Sequence, residues 1–104
     1  MGIFVALRVK LNLLKREDKF IEPSELHIDI PYGAPRNTLT SVLYMNTNNG
    51  YTKFETGEKV ESVENRLVTF PNSLKHTGSS NSCKAPYRCV MNIDWINQSD
   101  NYIE

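Results

Sequence analysis

Apolar and polar side chains alternate with a period of two along most of this chain. Val5, Leu7, Val9, Leu11 and Leu13 interleave with Ala6, Arg8, Lys10 and Asn12, which predicts a half-buried strand and not a helix. The charged stretch from Lys15 to Glu25, with Pro23 inside it, breaks that alternation and predicts a loop. A short strand over His27–Tyr32 and a turn over Gly33–Asn37 follow. Thr38–Asn46 is rich in β-branched and aromatic residues, and Asn48-Asn49-Gly50 after it signals a hairpin, since both central positions must tolerate positive φ; Tyr51–Glu55 is the return strand. Thr56-Gly57 turns the chain ahead of strands over Lys59–Val63 and Arg66–Phe70. Pro71-Asn72 punctuates before a strand carrying His76, Gly78–Pro86 is a polar loop, and Tyr87–Ile96 is the last long strand. About eight short strands separated by turns are the signature of an all-β sandwich or barrel. There is no helical stripe, internal repeat or low-complexity tract. A single domain over residues 1–97 with a polar tail over 98–104 is expected.

Composition narrows the partners. Twelve Lys and Arg against twelve Asp and Glu leave no net charge, so there is no electrostatic case for nucleic acid or an anionic membrane. No apolar run approaches the ~20 residues of a membrane helix. The apolar start is interrupted by basic residues without a small-residue cleavage site, which argues against a signal peptide. Cys83 and Cys89 lack a Cys-x-x-Cys spacing and read as free thiols, pointing to a reducing, cytoplasmic setting.

The chemistry is concentrated in four residues. His27 and Asp29 form a His-x-Asp triplet, and on a strand residues i and i+2 share a face, so both can reach one cation. His76, the other histidine, lies far along the chain yet can be adjacent in space, and Arg88 follows it by twelve residues. Two imidazoles and a carboxylate with open positions make the facial triad of non-haem iron sites; zinc takes the same donors and is the rival metal. A lone His-x-Asp is more often a surface ion pair, and an arginine more often pairs with an acid, here Asp94 or Glu104. Arg88 close to a metal instead points to a dicarboxylate cosubstrate, because a guanidinium is a planar, permanently charged clamp for a carboxylate.

These residues, with Thr40-Ser41-Val42-Leu43-Tyr44-Met45-Asn46, Gly50, Arg66-Leu67-Val68-Thr69-Phe70-Pro71 and His76-Thr77-Gly78, resemble the Fe(II)/2-oxoglutarate-dependent oxygenases, in particular the prolyl-4-hydroxylase-like branch and its small phage and marine-microbial members. The resemblance runs from about residue 8 to 96. It implies a double-stranded β-helix, or jelly roll, with His27, Asp29 and His76 as iron ligands. Arg88 would bind the distal carboxylate of 2-oxoglutarate, with Tyr44 and Thr40 lining the same pocket. The implied reaction consumes oxygen and 2-oxoglutarate, releases succinate and hydroxylates a substrate that the loops Lys15–Glu25, Tyr32–Asn37 and Gly78–Pro86 would select.

Two departures from the family pattern shape the expectations. Val90 stands where many members carry Ser or Thr, so that hydrogen bond to the cosubstrate is lost unless Thr40 or Tyr44 supplies it. No flanking helices are evident, so Cys89, Met91, Ile93 and Trp95 should form an uncovered apolar face; a homodimer, or a chain shorter than its natural gene product, is expected. A non-catalytic jelly-roll binding module is the alternative reading. A cupin-type metal enzyme is the third, although the His-x-His and following Glu usual there are missing.

Overall fold

The computed structural model describes residues 4–17, 25–82 and 85–97. Seven strands form in chain order: β1 (Phe4–Lys15), β2 (Thr38–Tyr44), β3 (Tyr51–Phe54), β4 (Lys59–Glu61), β5 (Leu67–Pro71), β6 (His76–Gly78) and β7 (Tyr87–Asn97). They build two antiparallel sheets, a four-stranded one ordered β1-β7-β2-β5 and a three-stranded one ordered β4-β3-β6. From β2 onward the chain passes repeatedly between the sheets, as a jelly roll does, and no helix occurs among the described residues. Cys83 and the tail over 98–104 lie outside the described residues, as does most of the Lys15–Glu25 loop.

Between the sheets, Val42, Tyr44, Phe54, Phe70 and Val90 form a small apolar core flanked by Val60, Val68 and Leu74. Phe54 and Phe70 meet edge to face at 4.8 Å, the geometry favoured by ring quadrupoles. The rest of the interior is unusually polar: Thr40, Thr52, Ser62, His76, Thr77, Arg88 and Asp94 are all buried. Polar groups buried in such number need partners, and most of these find them in one another or in the backbone.

Three expectations are corrected. First, Asn48-Asn49-Gly50 is not a hairpin. β2 and β3 belong to different sheets, and neither Asn49 nor Gly50 has a positive φ. The Asn48 side chain accepts from Gly50 N at 2.8 Å, while Asn48 N donates to Ser62 O and Ser62 N to Gly50 O. The segment thus carries the chain across to the second sheet. Among the described residues the left-handed positions are Gly33, Gly57 and the non-glycine Asn65, at φ 68° in the turn before β5.

Second, His27–Tyr32 is no full strand. His27 alone forms a two-way backbone bridge to His76, and the chain then bends through Asp29 and Ile30. The Asn72 side chain takes over as pairing partner, accepting from Ile30 N at 3.2 Å and donating to Ile30 O at 3.0 Å.

Third, the apolar side of β1 faces out. Val9, Leu11 and Leu13 are 59%, 59% and 64% exposed, while Lys10, Asn12 and Leu14 point toward the cavity between the sheets. The alternation was legible, but its direction was not. The more polar set is drawn inward because it borders a polar cavity.

Candidate metal centre

His76 is placed by β6 and by its bridge to His27, which brings both imidazoles to one end of the cavity with ring centroids 4.6 Å apart. The buried His76 ring lies edge-on to Phe70 at 4.8 Å, which fixes its plane. Its Nδ1 lies 3.3 Å from the Leu74 carbonyl, which can only accept, so a neutral His76 ring would carry its proton there and present the Nε2 lone pair to Asp29. Asp29 Oδ1 lies 3.1 Å from His76 Nε2 and 3.5 Å from His27 Nε2. Ligand atoms of all three residues fall within 4.8 Å of one another.

A cation fits this triangle. Atoms held about 2 Å from one ion at right angles sit roughly 2.9 Å apart, close to the two shorter edges seen here. His76 Nε2 and Asp29 Oδ2 are buried without a well-formed hydrogen bond, Nε2 meeting Asp29 Oδ1 as an ion-pair contact at 3.1 Å. With the ring neutral, a lone pair facing a carboxylate oxygen at that distance is repulsive, and either a proton or a metal cation between them relieves it. The donor set therefore makes a candidate metal site.

The protonation states suit the same purpose. Burial, then the neighbouring His76, lowers the His27 pKa, so this ring is held neutral and able to ligate. Burial alone would raise Asp29, but its hydrogen-bonding contact with His76 and the attraction it would feel from either imidazole when protonated outweigh that, and its pKa lies below the ordinary carboxylate range. Behind it stands Asp94, fully buried on β7, which accepts from the Thr40 hydroxyl at 2.7 Å. Burial raises the Asp94 pKa, and the adjacent Asp29 raises it further. Arg8 spans the pair from β1, donating to the Asp29 carbonyl at 3.2 Å and lying 4.0 Å from Asp94 Oδ2.

Arg88 lies in the same pocket, a cavity of about 320 Å³ whose wall includes His27, His76, Thr52, Thr77, Gly78 and Asn92. It is not the surface ion pair that arginines commonly form. The residue is 3% exposed, and among the described residues no carboxylate lies in ion-pair reach of it. Glu104, one of the two acids considered for it, falls outside the described residues. Asp94, the other, is engaged with Thr40 and Arg8. The Arg88 Nε donates to Ser62 Oγ at 3.3 Å. Burial lowers its pKa, with the nearby Tyr44 opposing.

Two glycines make room for this side chain. A Cβ on Gly50 would sit 2.6 Å from Arg88 Cδ, and one on Gly78 would sit 3.2 Å from Arg88 Nη1. Gly50 is therefore explained by close approach and not by a turn. Tyr44 and Thr40 share the inner face of β2, as alternation requires, yet both are wholly buried behind the pocket wall. Thr40 is committed to Asp94, and the Tyr44 hydroxyl donates to Thr52 Oγ1 at 2.7 Å. Thr52 and Ser62 were not singled out from sequence, and Asn72, Asp94, Gly50 and Gly78 were named there for other reasons than these. Gly78, two residues after His76, was the one with a readable signal.

No family model and no curated protein matches this sequence. Among solved structures the chain is similar to a cupin protein from Bacteroides fragilis, with a TM-score of 0.59 at 11% identity, covering 93% of this chain and 76% of that one. It is also similar to a protein from Neisseria meningitidis, with a TM-score of 0.54 at 10% identity, covering 90% of this chain and 81% of that one. The likeness is one of fold, an all-β jelly roll of the cupin type.

Proposed function

We propose that this chain is an Fe(II)- and 2-oxoglutarate-dependent oxygenase. One observation carries the reading: a buried guanidinium without an acidic partner among the described residues shares a pocket with a His, Asp and His cluster fit for a cation. An unpaired buried charge costs on the order of several kcal/mol, so Arg88 calls for an anion that the fold itself does not supply. A dicarboxylic acid with one end at the metal and the other on Arg88 meets both needs at once. The pocket volume lies at the small end of ligand sites, as suits an acid of this size.

In this reading His27, Asp29 and His76 would hold Fe(II) and leave three positions open. The bound iron would supply the redox chemistry that decarboxylates 2-oxoglutarate to succinate and hydroxylates the substrate. The protein's residues bind, orient and exclude water. Arg88, threaded between Gly50 and Gly78 and held by Ser62, fixes the distal carboxylate. Tyr44 donates to Thr52, which leaves the Thr52 hydroxyl hydrogen free to point into the pocket. Thr52 thus stands in for the donor that Val90 lacks. Asp94, held by the Thr40 hydroxyl, stands beside Asp29.

Anaerobic loading with Fe(II), titration of 2-oxoglutarate, and admission of oxygen while succinate is followed tests the reading. Metal binding, 2-oxoglutarate binding that depends on Arg88, and succinate formation are expected. Metal binding without affinity for 2-oxoglutarate would identify a binding module instead. No metal binding would overturn the reading altogether.

A further inference from the structure

The outer face of the four-stranded sheet is continuous and uncharged. Strand register aligns it in rows: Ala6, Trp95, Leu39 and Pro71; Val9, Ile93, Ser41 and Thr69; Leu11, Met91, Leu43 and Leu67; then Leu13 beside Cys89. Leu7, Val9, Leu11, Leu13 and Leu67 are between 41% and 64% exposed. The polar groups within the face are turned on one another: Trp95 Nε1 donates to Ser41 Oγ at 2.9 Å, and Ser41 Oγ lies 2.8 Å from Thr69 Oγ1. Little on this surface asks for water.

We propose that this face docks on the same face of a second copy of the chain, forming a two-fold, sheet-on-sheet homodimer. Three observations select that occupant. The first is area. Four strands about 4.8 Å apart, with five to eight residues of about 3.3 Å each in the rows, give a flat footprint of roughly 400 Å². Corrugation by Leu, Ile, Met and Trp side chains raises the accessible surface toward the ~800 Å² per partner of a stable interface. The second is charge. The rows contain no acid or base, so a partner must present an equally apolar and gently twisted surface, which the same face of another copy does. With twelve basic and twelve acidic residues, two copies also meet without net repulsion.

The third is the edge. β1 ends the sheet, and Arg8, Lys10 and Lys15 along it disfavour edge-to-edge growth, leaving face-to-face packing as the closed solution. The dimer would have a consequence for the pocket. Among the described residues β1 pairs only with β7, and it lends Lys10, Asn12 and Leu14 to the cavity wall from its other side. Covering its outer side would hold that wall in place.

Sedimentation velocity of the full chain over a wide concentration range tests the proposal. The expected mass is twice that of the 11.9 kDa chain. Leu11→Glu, whose side chain is 59% exposed in the protomer, should fold with an unchanged circular dichroism spectrum and shift dimer dissociation at least 100-fold toward monomer. Glu55→Lys, at an exposed residue just after β3 of the other sheet, should leave the dimer intact. A parent chain that is monomeric at high concentration overturns the proposal. So does open-ended assembly, or a dimer that survives Leu11→Glu with Leu13→Glu.

Discussion

Gly50→Ala separates the two halves of the proposed site. The added Cβ would meet Arg88 Cδ at 2.6 Å, Arg88 Nε at 2.7 Å and Asn48 Oδ1 at 2.8 Å. Carbon contacts settle at about 3.5 Å or more, so the guanidinium stem must shift by about 1 Å. Gly50 does not use the left-handed region, so alanine meets no backbone strain and gains about 0.4–1 kcal/mol from a less flexible unfolded chain. That gain offsets part of the steric cost and keeps the variant folded. A shift of this size misaligns a bidentate clamp and forfeits one charge-assisted hydrogen bond, about 1.5–3 kcal/mol, or roughly a 10- to 100-fold loss of 2-oxoglutarate affinity. The assay is calorimetric titration of 2-oxoglutarate into Mn(II)-loaded parent and variant, with Mn(II) affinity measured separately. Weaker 2-oxoglutarate binding at unchanged Mn(II) affinity is expected. Equal 2-oxoglutarate affinity in parent and variant would refute the idea that this glycine exists to seat Arg88.

Further outcomes follow from the same geometry. His76→Ala should abolish metal binding, whereas Arg88→Ala should spare it and raise the 2-oxoglutarate requirement; equal metal affinity in both would contradict the assignment of roles. Asn72→Ala removes both hydrogen bonds that hold the Ile30 backbone beside Asp29, and metal affinity measured by competition should fall about 10- to 100-fold, as for other outer supports of a metal site. Thr52→Val should weaken 2-oxoglutarate binding with little change in metal affinity; calorimetry that finds no difference would remove Thr52 from the cosubstrate site. Adding a divalent metal at 100 times its dissociation constant should stabilise the fold by about 2.7 kcal/mol, read as a rise in Tm that His76→Ala loses.

The strand positions were largely legible because alternation is a local property. β2, β3 and β7 form within a residue or two of the predicted Thr38–Asn46, Tyr51–Glu55 and Tyr87–Ile96. Pairing was not legible, since it joins distant segments: β1 to β7, and His27 to His76. The Asn-Gly signal at Asn49-Gly50 misled for that reason. A hairpin and a crossover need the same small, permissive residues, and only the position of Arg88 on β7 shows which is meant. His27, Asp29, His76 and Arg88 could be named because their side chains belong to a narrow chemistry. The residues that hold them, such as Asn72 and Ser62, are common polar types whose meaning appears only with their partners. The outward turn of Cys89, Met91, Ile93 and Trp95 followed from placing Arg88 inward, and the structure has that alternation.

The most direct test is a crystal of the protein grown anaerobically with Mn(II) and 2-oxoglutarate, with data collected at the manganese absorption edge. The account predicts one anomalous peak about 2 Å from a nitrogen of His27, an oxygen of Asp29 and Nε2 of His76, with 2-oxoglutarate density running from it to the Arg88 guanidinium. A peak elsewhere, or density in which Arg88 contacts no carboxylate, would contradict it.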